Sequence, residues 1–458
     1  MAILKPRLIL LAVLLSVLSG CGPDPGDPVF VRGNLIEFTY SKTQQNGAWC
    51  WFQDERAIVD AGHPDGPMLY FTAMSASAVD SMEMGDLDFH FLGLDSGEQG
   101  SHEIHDRLEQ DDHNTAALKL LPDGRIMAVF ARHGSDRFVR TRISAPQDPR
   151  TWGEEITYQE EAGVTYSNLL TAGEAPRLLN FSRSRGWNPN FVVWSDTLQE
   201  WTYGGRLLAS EGRPYMKYRN TKDGKWIHVV ATDQHPRDFD NSIYHGVTDG
   251  RQLLDSFGRV VDADLSDQAA VAPLVLSLVF QGDADNVAWM VDVEVDDQDR
   301  PVIAFSVQKD GRGKPPREGG LDHRYHLARF LDGEWVQHEV AFAGERLYPF
   351  EDDYTGLMAI DPQDVNRVVI STNAHPVTGE PLMSNADGRR HYELFEGTSK
   401  DDGATFEWTP LTANSLVDNI RPVIPSWDAD RRVVLWMRGT YRSYTDWSSR
   451  IVGVVQDR

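Results

Sequence analysis

Ser399-Lys400-Asp401-Asp402-Gly403-Ala404-Thr405-Phe406 is the stretch on which the fold reading turns. Its pattern, S-x-D-x-G-x-T-F, describes a self-bracing hairpin turn. The aspartate and the serine and threonine hydroxyls tie the bend together, and the aromatic that follows packs between strands. Working outward, the same punctuation recurs at Asp123-Gly124, Asp223-Gly224 and Asp332-Gly333, and a degenerate copy runs from Ser195-Asp196 to Trp201. Between the turns lie short apolar-aromatic runs, at 125–131, 191–194, 226–231, 300–307, 368–371 and 432–437. No stretch shows capped helical periodicity.

Regular short strands with turn signals mean a sandwich, a barrel or a propeller. Length decides among them. The chain has 458 residues, and unbroken strand from about residue 30 to its end is too much for one sandwich. It suits radial repetition, as seven four-stranded blades of roughly 60 residues each. The octapeptide matches the Asp-box of sialidase-like propellers, which is a structural motif and carries no catalysis. The expected fold is all-β, a seven-bladed β-propeller forming one domain over residues 31–458.

The first 21 residues read as an export signal. Lys5 and Arg7 precede an apolar run at 8–18, too short to span a bilayer. Leu18-Ser19-Gly20-Cys21 then looks like a lipobox, in which Cys21 becomes the lipidated N-terminus. Gly22 at the next position does not signal inner-membrane retention. The expected location is the outer membrane or cell surface, or the medium, with residues 22–30 as a flexible tether and the lipid as the only membrane contact. With Cys21 consumed, Cys50 is the one remaining cysteine and no intrachain disulfide is available. The net charge of −25 argues against a nucleic-acid partner. A monomer is expected.

The chemistry concentrates at hairpin ends. A strand at 115–121, a turn at Pro122-Asp123-Gly124 and a return strand at 125–132 put His113 nine residues before the turn and His133 nine residues after it. Positions equidistant from a hairpin turn face each other, roughly 5 Å apart at Cα. Both imidazoles should therefore meet at the open end, near Asp111, Asp112 and Arg132. Tyr166 and Arg183 flank the next hairpin in the same way, with Arg185 as the alternative arginine. Arg213 and Tyr215 precede the Asp223-Gly224 turn, and Asp233 and His235 follow it. If these hairpins hold equivalent places in consecutive blades, His113, His133, Tyr166, Arg183 and His245 converge on one pocket. That set suits β-elimination on a uronic acid. A guanidinium neutralises the carboxylate, one of His or Tyr removes the adjacent proton, and another protonates the leaving oxygen.

Three segments carry a resemblance. Gly47-Ala48-Trp49-Cys50-Trp51-Phe52-Gln53-Asp54-Glu55-Arg56-Ala57, Asp111-Asp112-His113-Asn114 and residues 235–245 resemble the BNR-repeat propeller family that includes ulvan lyases. The resemblance implies a seven-bladed propeller and elimination at the uronic acid that follows sulfated rhamnose. It implies His113 and Tyr166 as the acid/base pair, with His133 and Arg183 on the uronate carboxylate. Asn114, Arg56, Arg213 and Tyr215 are the expected substrate contacts. It also implies a structural zinc, for which His245 is the best ligand match and His235 and Asp238 weaker ones. No organic cofactor is expected. A local group of Arg132, Arg137, Arg140, Arg183, Arg185 and Arg213 is expected to offset the acidic net charge towards a sulfated glycan. Two other readings compete. One is a sialidase-like glycoside hydrolase, which needs a Tyr/Glu pair or two spaced carboxylates. The other is a non-catalytic glycan-binding lipoprotein.

Overall fold

The computed structural model describes residues 29–38, 40, 46–76, 84–315, 317–349 and 351–458. The export signal, Cys21 and residues 22–28 lie outside the described residues. Seven antiparallel sheets follow one another along the chain. Their first strands are Ala57–Asp60, Ala117–Leu120, Thr165–Ala172, Met216–Asn220, Val287–Val295, Met358–Ile360 and Asp418–Val423. These open blades one to seven and pack side by side around the axis. The seventh blade is completed by the chain's start, since Ile36–Glu37 pairs with Asp446–Asp457 at Ile36↔Gly453. That closure joins the ends of the ring and leaves each blade with only short edges. A second tie, Phe30–Val31 on Thr412–Ala413, brings pairing into the span expected to be tether.

The turn chemistry forms as its residues dictate. At the octapeptide, Thr405 N and Oγ1 donate to Asp401 at 2.9 and 2.7 Å, and Gly403 N donates to Ser399 Oγ at 2.8 Å. Gly403 has a φ of +89°, a region glycine enters without a Cβ penalty. Phe406 stacks on Trp408. The degenerate copy is a hairpin turn too, with Trp194 Nε1 on Asp196 and Leu198 N on Ser195 Oγ. No α-helix occurs among the described residues, and three single 3-10 turns are the only helical elements there. No helix of the described residues is long and apolar enough to cross a membrane.

The core lies between blades and along the axis. Phe181, Phe191, Leu179 and Tyr218 fill the space between blades three and four, and Met127, Val129, Val192 and Trp201 that between two and three. The axis is plugged by residues 47–53, which run ahead of blade one and are almost wholly buried. Trp49 Nε1 donates to Arg421 O at 3.2 Å and Trp51 Nε1 to Met290 O at 3.3 Å. Phe52 packs against Tyr166, Tyr215 and Trp289. One short segment thus fixes the inner edges of blades three, four, five and seven to each other. Cys50 is buried within it and free.

Candidate active site

The first predicted hairpin is present, with Ala117↔Val129 and Leu120↔Ile126 in register. Its first strand starts at Ala117 rather than 115. Residues 112–114 instead form a 3-10 turn, because the Asp111 side chain caps the His113 N–H at 3.0 Å. The opposition of the two histidines survives the change. Their rings are stacked, with centroids 4.1 Å apart and an interplanar angle of 10°.

Asp111 holds them together. Its Oδ1 accepts from His113 Nδ1 at 2.6 Å and its Oδ2 from His133 Nδ1 at 2.8 Å. The neighbouring histidines keep this carboxyl well below the usual range against the cost of its burial, so it is acceptor-only and both Nδ1 atoms must donate. Both Nε2 atoms are left to act. Behind it, Asp112 touches His113 Nδ1 at 3.0 Å and is itself held by Arg421 and by the Tyr441 hydroxyl. Burial works against charge on His113, but the Asp111 and Asp112 carboxylates in contact with it outweigh that cost and raise this imidazole well above 6.5. His133 is lowered, by burial first and then by the His113 charge. Two rings at stacking distance cannot both carry a proton cheaply. His113 is therefore the imidazolium and His133 the neutral, more accessible ring.

Blade three adds the phenol and guanidinium. Thr165 pairs with Arg183, and a bulge separates that pair from Asn168↔Phe181. Tyr166 sits in the bulge at φ +65°, a strained setting costing about 1–3 kcal/mol that re-aims its side chain. Its ring lies 5.7 Å from His113 and 6.0 Å from His133. Burial raises its hydroxyl well above the ordinary tyrosine value, despite Arg183 and His113 nearby. It is a proton donor at neutral pH.

Arg183 decides between the two candidate arginines. Arg185 is taken by Glu160 at 2.8 Å and Glu161 at 3.2 Å and lies on the Tyr203 ring. Arg183 is buried beside the rings of Tyr166, Tyr215 and Trp187, at 4.8, 4.5 and 5.2 Å. Its Nε and Nη1 have no hydrogen-bond partner. Among the described residues no carboxylate forms an ion pair with it. A buried cation without an anion is expensive, and this one lacks a counter-charge among the described residues.

Other expected residues fall elsewhere. Asn114 is buried and donates to Glu109 Oε2 at 3.0 Å, which in turn accepts the His133 backbone N–H at 2.9 Å. It braces His133 through Glu109. Arg56 is buried on the Cys50 carbonyl and Asp54, supporting the axial plug. Tyr215 is placed with the site through Arg183 and His235. Arg213 reaches the rim but pairs with Asp238 at 2.9 Å. The expected basic group is mostly neutralised, since Arg132 and Arg140 share Asp136. Two aromatics went unforeseen. Tyr444, from blade seven, stands edge-on to both imidazoles at 5.4 and 5.9 Å, and nothing in its surroundings in the sequence marks it. Trp187 is 42 % exposed and packs against Gly134, where a Cβ would meet its ring at 2.3 Å. A larger cavity of about 700 Å³ beside Trp408 and Met383 holds none of these groups.

The implied zinc ligands do not converge. His245 Nε2 meets His228 Nδ1 at 3.0 Å, and its Nδ1 meets Ser256 Oγ at 2.8 Å. His235 lies against Tyr215 and Trp289, and Asp238 is at the surface with Arg213. The three do not fit one ion.

The profile of the BNR repeat-containing family matches residues 70–343, more than half of the chain. The chain belongs to this family. No curated protein matches it. Among solved structures, this family member is similar to a PL25 ulvan lyase bound to a GlcA(1-4)-linked rhamnose 3-sulfate chain. The TM-score is 0.66 at 13% identity, over 92% of this chain and 98% of that one. A second polysaccharide lyase gives 0.53 at 11% identity, over 92% and 94%. At such identities the likeness is one of fold, and both chains are matched almost end to end.

Proposed function

We propose that this BNR-family propeller is a polysaccharide lyase that cleaves a uronate-containing glycan by β-elimination. The observation that carries the reading is Arg183, buried among aromatic rings with two unpartnered nitrogens and no carboxylate paired with it among the described residues. A substrate carboxylate supplies the missing anion, held bidentately by the planar fork. The ulvan lyases of the same fold make ulvan, with its sulfated rhamnose–uronate repeat, the first substrate to try. The two stacked histidines, Tyr166 and Arg183 then act on one sugar.

The charge pattern exchanges the histidine roles implied by resemblance. His133 is neutral with Nε2 free, so it takes the proton next to the carboxylate. The electron pair forms the new C=C bond as the adjacent C–O bond breaks, and the Tyr166 hydroxyl protonates the leaving oxygen. The His113 imidazolium and Arg183 stabilise the negative charge that develops on the carboxylate meanwhile. Asp111 fixes both tautomers throughout. Trp187, exposed above Arg183, offers a face for a neighbouring sugar ring. Export and lipid anchoring at Cys21 belong to the same proposal, since a polymer this large must be met outside the cell. Incubation with ulvan and other uronate polysaccharides tests the reaction. Unsaturated products with new near-ultraviolet absorbance are expected, and saturated reducing ends would instead mean hydrolysis.

A further inference from the structure

A second cluster of ionisable groups lies beside the elimination site and takes no part in it. His235 follows the blade-four strand Ile227–Thr232, and Glu351 and Asp353 lie in the connection from Glu334–Gly344 to Met358–Ile360. One ligand-type atom of each lies within 4.8 Å of the other two. All three residues are more than nine-tenths buried. Glu351 Oε1 accepts from Arg237 Nη1 at 2.5 Å, but its Oε2 has no hydrogen-bond partner, and neither has Asp353 Oδ2. Burial and the neighbouring charges of Glu351 and Asp352 push Asp353 up to about 8. Two acids have thus been packed together with one guanidinium between them, short of positive charge. The His235 ring is held neutral, first by burial and then by Arg237 and Arg213, and a neutral ring is the form that ligates metals.

We propose that His235, Glu351 and Asp353 bind a first-row divalent cation, such as zinc(II) or manganese(II), which clips the loop after blade four's second strand to the blade five–six connection. One imidazole and two carboxylates are a donor set such ions accept, with a position left over for water. Calcium, which wants six to eight oxygens, is poorly served. A cavity of about 220 Å³, lined by Pro236, Arg237, Gln308 and Asp353 among others, provides the approach. The Arg237 backbone N–H donates to His235 Nδ1 at 3.1 Å, so a cation ligated at Nδ1 replaces this contact, and one ligated at Nε2 moves that nitrogen's proton to Nδ1 and equally breaks it. The set shares only His235 with the ligands implied by resemblance, and His228–His245 stands apart from it.

The purified full chain, stripped with a chelator and dialysed, is titrated calorimetrically with zinc, manganese and calcium chlorides. One equivalent of zinc or manganese is expected to bind, with no calcium uptake and a thermal midpoint raised by the ion. Asp353→Asn and Glu351→Gln should each weaken binding by at least tenfold. Removing a like-charge neighbour should leave the ion-free Asp353→Asn protein at least as stable as the parent, so a folding defect is separable. His245→Gln should bind as the parent does. The proposal is overturned if the parent takes up neither zinc nor manganese, in which case the two acids share a proton. It is equally overturned if both carboxylate variants bind undiminished, or if His245→Gln alone abolishes uptake.

Discussion

Asp111→Asn disturbs both imidazoles through one exchanged atom. The carboxylate lies 2.6 Å from His113 Nδ1, with side-chain exposures of 6 % and 3 %, so solvent screening is slight. At an effective dielectric of about 20, unit charges some 4 Å apart attract by about 4 kcal/mol, equivalent to roughly three pKa units. His113 then loses much of what holds its proton. The asparagine also presents an NH2 to one of two ring N–H groups, and that ring must turn over its tautomer or lose its partner. If it is His133, Nε2 acquires the hydrogen and can no longer act as base. The analogous exchange in a serine-protease triad costs about 10⁴ in kcat. A fall of about 10³–10⁴ is expected here, some 4–5.5 kcal/mol in the barrier, with little change in KM. Initial rates on a cleaved uronate polysaccharide, followed by absorbance of the new double bond, measure it, and a thermal melt checks the fold. Retention of more than a tenth of kcat with an unaltered pH profile would refute the idea that Asp111 sets the protonation of the pair.

Arg183→Ala should lower kcat/KM by about 10³ or more while shifting the melting midpoint only a few degrees, because the guanidinium it removes has two unpartnered nitrogens and no ion pair among the described residues. Near-full activity would remove the arginine from the mechanism. Trp187→Ala should raise KM several-fold and spare kcat, whereas a matching loss in kcat would place the indole closer to the reacting bond. The rate should rise as pH climbs through the lowered value of His133, below 6.5, and fall once His113 deprotonates well above 6.5. These are macroscopic values of a coupled pair, and a profile without an upper limb argues against a charged His113. Stability should drop on the acid side for a separate reason. Burial pushes His228 down to about 4, so unfolding takes up a proton as pH falls from 6.5 towards 4. That costs about 3 kcal/mol, fully felt below 4. Denaturant melts at pH 7 and 4 on the parent and His228→Gln measure it, and an equal acid loss in both would show the term lies elsewhere.

Much of the site was legible because hairpins are local. Turn residues at 122–124 set a register, and register alone put His113 opposite His133 even though one of them left the strand for a 3-10 turn. The same reasoning paired Tyr166 with Arg183 across a bulge that sequence did not announce. It failed where charge had to be apportioned. Arg132, Arg140, Arg185 and Arg213 read as a basic patch, yet each has an acidic partner, some close in sequence and some not. Asn114 and Arg56 sit in motif positions but face inward, Asn114 on Glu109 and Arg56 on the Cys50 carbonyl of the axial plug.

Alternation of short apolar runs with Asp-Gly turns, over this length, is a local property repeated many times, and the chain carries it in plain view. It decides strand against helix and seven blades against one sandwich. Whether Arg183 or Arg185 is left without an anion, which imidazole keeps the proton, and that Tyr444 leans on both rings depend on groups up to several hundred residues apart. Electrostatic energy follows distance and burial in space. Only closure of the ring brings those distances into being.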